Sequence, residues 1–367
     1  MGVTTVVGRS VDELDTPALL IDLDAMDRNI QMIAAEVKAH GIAWRPHAKG
    51  HKCPAIAHRQ LAAGAIGITC AKLGEAEVFA ASGIRDILVA NQIVGPIKTR
   101  RLVALVATSG ADVAVAVDSL HNVRELDDAG RAAGVRPRVV IELDVGMSRA
   151  GVAPGAAVVE LAQEITAAPG LRFAGLMAWE GHAMTVADAG QRRQTIETAV
   201  SLLTGSATAC REAGMPVEIV SCGGSGTYRT TSGLPGVTEV QAGGGTLGDV
   251  TYRELEVPVE PALTLLAQVV SRPAPDRIII DAGRKAVDPS ARQPVPRGLG
   301  EIAAMAFSAE HGRIALARPT TTPRVGDRLE LEIGYHDQAV HLHEYLYAVR
   351  ANQIVAVWPV ATRGRLQ

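Results

Sequence analysis

The sequence predicts a parallel (β/α)8 barrel followed by a separate β domain, and three observations carry that prediction. Short Val- and Ile-rich runs recur with about 20 to 25 residues of helix and loop between them, the spacing of βα units that feed one parallel sheet. Apolar residues make up 47% of the chain and aromatics only 3%. Ala, Val and Leu therefore fill the interior, which suits strands buried on both faces better than a β-sandwich or a base-stacking module. Beyond Leu255 the texture changes: Pro258, Pro261, Pro273, Pro275, Pro289, Pro294 and Pro296 punctuate strand-like runs, which is not another βα repeat. The 367 residues match a barrel of roughly 250 residues with a second unit of roughly 100. The pattern assigns residues 16–254 to the barrel and residues 1–15 and 255–367 to the β domain.

Taken in order, Thr16–Asp24 reads as an opening strand, followed by a helix that carries Met26, Ile30, Ile33 and Val37 on one face. Strands are predicted at Ile42–Lys49, Ile66–Ala71, Asp86–Asn91, Asp112–Ser119, Arg138–Val145, Phe173–Trp179 and Glu218–Ser221. Helical runs centre near Ile56, Ala76, Leu102, Val123, Val159 and Ile196. In the β domain the strand runs are Leu263–Val270, Arg277–Asp281, Val325–Ile333, Ala339–Val349 and Gln353–Val357. Charged residues are 20% of the chain and the net charge is -3, which indicates neither a disordered tail nor a nucleic-acid footprint and leaves small molecules as the expected partners. No apolar run reaches about 18 residues and Met1–Asp15 lacks a basic-then-apolar pattern, so neither a membrane span nor an export signal is expected. Cys53, Cys70, Cys210 and Cys222 form no CxxC spacing, which points to a reducing compartment and a cytoplasmic protein.

The chemistry gathers around Arg45-Pro46-His47-Ala48-Lys49-Gly50-His51-Lys52. This basic cluster lies between a strand and the helix whose first turn suits Pro54, at the ligand-facing end of an α/β protein. A lysine whose pKa is lowered by neighbouring cations (Arg45, Lys52, a protonated His47 or His51) offers the free amine that forms a Schiff base with a carbonyl. On this segment alone, an electropositive strand end that binds a phosphate, or nothing, explains the residues equally well. Other predicted strand ends are polar too: Asn91, Asp118-Ser119, Glu142 to Arg149, and Glu180-Gly181-His182. Their convergence on one barrel mouth says more than any one of them. Two glycine-rich segments, Ser221 to Thr227 and Gln241 to Thr246, then follow the last barrel strands, where backbone N–H groups commonly seat a phosphate. Tight turns would account for either segment taken singly. A phosphate cradle opposite a nucleophilic lysine suggests pyridoxal phosphate.

Arg45 to Lys52, Gly146-Met147-Ser148-Arg149, Cys222-Gly223-Gly224-Ser225-Gly226, Ser271-Arg272-Pro273-Ala274-Pro275, Asp281-Ala282-Gly283 and Leu342-His343-Glu344 together resemble the D-threonine aldolase and D-serine dehydratase family over nearly the whole chain. The resemblance implies an alanine-racemase-like fold, a pyridoxal 5'-phosphate cofactor held by Lys49, and a homodimer. It implies Arg149 beside the cofactor's phenolic oxygen or ring edge, His47 and Trp179 near the cofactor, and Gly224, Ser225, Gly226, Thr227, Gly243 and Gly244 around its phosphate. Aldolases of the family often carry a tyrosine where this chain has Trp179. The family's metal pair, His-x-Asp or His-x-Cys, has its second position at Asp337 and its first at Tyr335, with His336 one place off. His336 and Asp337 are the candidate ligands for a divalent metal (Mn, Mg or Zn). Read as a strand, the segment sends neighbours to opposite faces, so His336 serves only if a bulge or loop turns it, while His341 and His343 share a face with Asp337.

The activity implied is a lyase acting on D-β-hydroxy-α-amino acids, with retro-aldol cleavage to glycine and an aldehyde. His182 or a C-terminal histidine would act as base and a metal at Asp337 would acidify the hydroxyl. Three alternatives share the residues: a D-serine dehydratase-type ammonia-lyase, a metal-independent racemase or epimerase with Lys49 and Tyr335 or His182 as opposed bases, and a non-catalytic pyridoxal-phosphate-binding protein.

Overall fold

The first strand of the chain, β1 (Ala18–Asp22), lies outside the barrel in the computed structural model, which describes residues 3–367. The barrel strands come after it: β2 (Ala43–Trp44), β3 (Ile68–Cys70), β4 (Asp86–Gln92), β5 (Asp112–Val117), β6 (Arg138–Leu143), β7 (Arg172–Ala178), β8 (Ile219–Cys222) and β9 (Glu239–Val240). They pair in parallel in the order β3-β4-β5-β6-β7-β8-β9-β2. A parallel bridge between His47 and Thr69 joins the two ends, supported by hydrogen bonds from Ile66 N–H to the Trp44 carbonyl (2.9 Å) and from Thr69 N–H to the Pro46 carbonyl (2.9 Å). The (β/α)8 barrel expected from the sequence is therefore closed. Every residue of β6 is buried, as a strand must be when side chains fill the barrel on one face and helices cover the other. Small residues dominate the filling, with Ala114, Ala116 and Ala174 beside Leu88, Val140, Met177 and Ile219.

At the N-terminal ends of the strands the barrel holds a buried ion network. Arg45 is 2% exposed. Its guanidinium donates to Glu239 on β9 (3.0 Å) and to Asp86 on β4 (2.8 Å), and Arg138 on β6 also pairs with Asp86. Burial opposes the charge on Arg45, but Glu239 and Asp86 outweigh it and raise the pKa further. Gly67 leaves room for the guanidinium, because a Cβ there would lie 2.8 Å from Nη1. Arg45→Ala leaves the buried Glu239 without its cation and takes one of two cations from the part-exposed Asp86, and we expect a loss of about 3 kcal/mol, read as a lower midpoint in urea.

The second sheet contains β1 and the strands that follow the barrel: β10 (Leu263–Ala274), β11 (Arg277–Ile280), β12 (Val295–Pro296), β13 (Ile302–Phe307), β14 (Gly312–Leu316), β15 (Arg328–Glu332), β16 (Tyr345–Arg350) and β17 (Gln353–Pro359). The main path is β13-β14-β11-β10-β1-β16-β17, and β15 pairs with both β10 and β12. β1 is antiparallel to β10 and parallel to β16. Val11, Leu14, Ala18, Leu20, Leu266 and Ile354 form a core on one of its faces.

The chain divides into two compact units. One holds the residues up to Gln31, Gly50–Ala55 and Gly244–Arg363; the other holds Met32–Lys49, Ile56–Gly243 and Gly364–Gln367. This division differs from the boundaries read in the sequence, which placed residues 16–31 and 244–254 with the barrel. Residues 1 and 2 of the segment 1–15 lie outside the described residues. Within the unit that holds Gly244–Arg363, the run read as the strand Ala339–Val349 is instead the end of a helix, His336–Leu342, followed by β16. Among the described residues no helix is long and apolar enough to cross a membrane.

Candidate active site

The barrel unit carries its polar residues beyond the C-terminal ends of the strands. After β2 the chain turns to present Lys49, which is exposed, while Ala48 is fully buried. Two backbone hydrogen bonds fix this turn: Ala48 N–H donates to the Thr69 carbonyl (2.8 Å), and Lys49 N–H donates to His47 Nδ1 (3.3 Å). His47 N–H donates to the Gln241 carbonyl (3.0 Å), which draws the segment after β9 against it. A Cβ at Gly243 would overlap the His47 backbone, so this close approach requires glycine whether or not an anion binds. Arg45, counted in the sequence among the cations near Lys49, is committed by its side chain to Glu239 and Asp86, at the N-terminal ends of β9 and β4.

The turn after β8 is held by the two residues that follow β7. The Trp179 ring lies where a Cβ on Gly224 would stand. Glu180, only 1% exposed, accepts hydrogen bonds from Thr227 Oγ1 (2.7 Å), Thr231 Oγ1 (2.8 Å) and Gly223 N–H (3.3 Å). Thr227 Oγ1 also accepts from Gly224 N–H (3.0 Å). The N–H groups of both glycines thus lead to one carboxylate, directly from Gly223 and through a hydroxyl from Gly224. Thr227 N–H closes the turn on the Gly224 carbonyl (3.0 Å), leaving Ser225 and Gly226 at its tip. Gly223 takes φ +76, a left-handed conformation that favours glycine.

Near the end of β6 the buried Glu142 accepts from Gln92 Nε2 (2.6 Å), at the end of β4, and from Arg149 Nη2 (3.2 Å). The loop between Glu142 and Arg149 turns on Asp144, whose carboxylate accepts Gly146 and Ser148 N–H groups (3.0 Å each). Those donors, Gly146 foremost, hold its pKa below the usual value. The His182 ring packs on Gly146, where a Cβ would stand 2.7 Å from Cε1 and Nε2. His182 Nδ1 is buried without a hydrogen-bond partner.

The other unit gathers a second set around the start of the helix His336–Leu342. The helix replaces the expected strand because its first N–H has a buried acceptor: His336 N–H donates to Asp249 (3.1 Å). The same carboxylate receives His336 Nδ1–H (2.6 Å) and Tyr252 N–H (2.9 Å). His336 is completely buried. Its Nε2 lies 3.2 Å from Asp337 Oδ1, too poorly aligned to form a hydrogen bond. At a helix start the two neighbours face one another, so strand alternation does not separate them. Tyr335 donates its hydroxyl to the other oxygen, Asp337 Oδ2 (3.0 Å). Burial raises the Tyr335 pKa, and Asp337 raises it further.

Two glycines make room for His336. A Cβ on Gly50, the residue after Lys49 in sequence, would stand 2.5 Å from His336 Nε2 and 2.8 Å from Asp337 Oδ1; one on Gly244 would stand 2.9 Å from His336 Cε1. His343, expected to share the Asp337 face, instead donates Nε2–H to the Ala286 carbonyl (2.7 Å). Among the described residues no group of three or more His, Cys, Asp or Glu side chains is arranged to hold a metal. The sequence marked Glu142 and Glu180 only as polar strand ends and gave no sign of what they hold. Asp249 caps a short helix and grips His336 as well.

Comparison with known proteins gives this arrangement a lineage. Residues 21–250 match the family model for the alanine racemase N-terminal domain, and residues 262–349 match a putative serine dehydratase domain. The chain is 36% identical to the D-threonine aldolase of Arthrobacter sp, covering 97% of this chain and 95% of that protein. It is 33% identical to the 3-hydroxy-D-aspartate aldolase of Paracoccus denitrificans (strain Pd 1222), covering 98% and 94%. The crystal structure of the D-threonine aldolase from Filomicrobium marinum superimposes with a TM-score of 0.95 at 34% identity, over 98% of this chain and 99% of that one. With a closed barrel, a lysine turn and glycine turns beyond its strands, and matches of this length, the chain belongs to the alanine-racemase-like family of pyridoxal-phosphate enzymes, in the group that includes D-threonine aldolase.

Proposed function

We propose that the protein is a lyase that cleaves D-β-hydroxy-α-amino acids to glycine and an aldehyde, using pyridoxal phosphate and a divalent cation. The observation that carries the reading is the His336–Asp337 pair: a nitrogen and an oxygen donor 3.2 Å apart, approached by Gly50 more closely than any side chain would allow. That separation suits two cis ligands of one cation. Asp249 on Nδ1 orients the imidazole as a carboxylate behind a metal-bound histidine does.

The barrel residues fit the cofactor. Lys49 stands exposed on a fixed turn for its aldehyde, the Ser225–Gly226 tip and Gly243 suit its phosphate, and Arg149, steadied by Glu142, suits its ring edge; His47 and Trp179 flank these positions. Bound there, the cofactor supplies a conjugated ring that accepts the electron pair of a bond broken at the substrate Cα. Lys49 holds the cofactor between turnovers. His182 takes the β-hydroxyl proton as the Cα–Cβ bond breaks and the Cβ oxygen becomes the aldehyde, and a proton delivered to Cα completes glycine. The unsatisfied Nδ1 of His182 supports this role. Tyr335, a candidate base in a racemase, is instead committed as a donor to Asp337 with its pKa raised, and its part is to aim Asp337 Oδ1 at the cation.

A dehydratase is the second reading, favoured by the serine-dehydratase-type model over residues 262–349. A homodimer and a cytoplasmic site belong to the same proposal. The test is product analysis with D-threonine, D-serine and D-3-hydroxyaspartate, before and after chelation and with Mn, Mg or Zn restored. Glycine plus aldehyde, lost on chelation and recovered with metal, is expected. A keto acid plus ammonia would favour the dehydratase, and Cα inversion indifferent to chelation would overturn both.

A further inference from the structure

We propose that Glu180 is the positioning residue that builds the phosphate seat, acting on the glycine turn and not on the cofactor; this rests on the proposed cofactor reading. Glu180 is 1% exposed, and all three of its donors, Gly223 N–H, Thr227 Oγ1 and Thr231 Oγ1, come from the turn after β8 and the short helix that follows it. Through Thr227 Oγ1 it also receives the pull of Gly224 N–H. One carboxylate therefore satisfies the inner side of the turn and leaves Ser225 and Gly226 at the outer tip. Trp179, adjacent in sequence, closes the turn from its other side by lying against Gly224. The two residues that follow β7 thus clamp the turn that follows β8 through contacts made within the protein. A turn set in advance binds an anion without ordering itself at the moment of binding.

Removing the carboxylate strands buried donors on the turn, and unsatisfied buried donors cost enough to re-form it. In Glu180→Ala the pyridoxal-phosphate dissociation constant, measured by equilibrium dialysis, should rise on the order of 10- to 100-fold. Glu180→Gln, which keeps one acceptor oxygen for the hydroxyls but loses the one facing Gly223 N–H, should recover most of that loss. Thr231→Val loosens Glu180 from outside the turn and should weaken binding by about threefold to fivefold. It also serves if Glu180→Ala fails to fold.

A double-mutant cycle separates positioning from contact. If Thr227 acts through Glu180, Glu180→Ala/Thr227→Val binds no more weakly than Glu180→Ala. Full additivity would mean that Thr227 meets the phosphate independently of Glu180, and would overturn the proposal. So would a Glu180→Ala or Thr231→Val variant with a lower melting temperature but wild-type affinity, the mark of a purely structural role. Failure of the wild-type chain to bind pyridoxal phosphate would sink the cofactor reading itself, an outcome distinct from either.

Discussion

Lys49→Ala should fold like the wild type, bind pyridoxal phosphate only as a dissociable ligand, and lose on the order of 10³-fold or more of its lyase turnover. The lysine side chain is exposed, so truncation opens no cavity. The backbone bonds that shape the turn, from Ala48 to Thr69 and from residue 49 to His47 Nδ1, survive any substitution that keeps the N–H. Stability and chemistry therefore come apart at this residue, and a melting curve beside a rate assay tests both. Borohydride reduction of the loaded wild type should fix the cofactor on the peptide containing Lys49, and the variant should take up no label. Lys52 is the internal control: it is buried, and its carbonyl accepts the Thr362 N–H (3.2 Å). Label found on Lys52 would show that the assignment of Lys49 is wrong.

Asp249→Asn should destabilise the protein by about 3–5 kcal/mol and weaken cation binding by about 10- to 100-fold. Asp249 accepts from His336 twice and from Tyr252 once, so the amide places a donor against a donor. The pH dependence follows from His336. Burial lowers its pKa, but Asp249, with help from Asp337, outweighs burial and pushes it up to about 10. A folded pKa raised above the unfolded value of about 6.5 means that this stabilisation is complete below pH 6.5 and disappears as the pH climbs through 10. In metal-free protein, the stability gap between wild type and Asp249→Asn should narrow over that interval, measured as urea midpoints at pH 6, 8 and 10. A gap that is constant across the range would refute the coupling. Titration of Mn into both proteins, followed by electron paramagnetic resonance of the free ion, reads the affinity separately.

Which parts of this structure were legible in the sequence follows from what fixes each part. β4, β5, β6 and β8 announce themselves as runs containing Val or Ile, because burial on both faces favours such residues. β9 does not: Glu239 and Val240 are ordered by pairing with β2 and β8, and two residues carry no periodicity. β1 misled for the opposite reason, since a buried apolar run reads alike in either sheet, and only its partners β10 and β16 reveal where it belongs. The helix at His336 was illegible because its start depends on Asp249, 87 residues upstream. Lys49, the glycine turns and His182 could be singled out by residue type and position at strand ends, and Asp337 through the family resemblance. What Glu180, Glu142 and Asp249 hold could not be read, since an acid looks the same in sequence whether solvated or the acceptor of several buried donors.

The way the chain divides has a consequence for shuffling and truncation. The two family matches, residues 21–250 and 262–349, read as modules joined end to end, which invites a recombination point between them. The compact units do not respect that join. Residues 3–31 and the six-residue excursion Gly50–Ala55 belong with the C-terminal unit, and the excursion begins at the peptide bond after Lys49. A chimaera cut after residue 250 would give Lys49 a neighbour evolved for one partner and seat that neighbour against another. Homologous parts should therefore be exchanged as interleaved sets, with residues 3–31 and 50–55 travelling alongside the C-terminal portion.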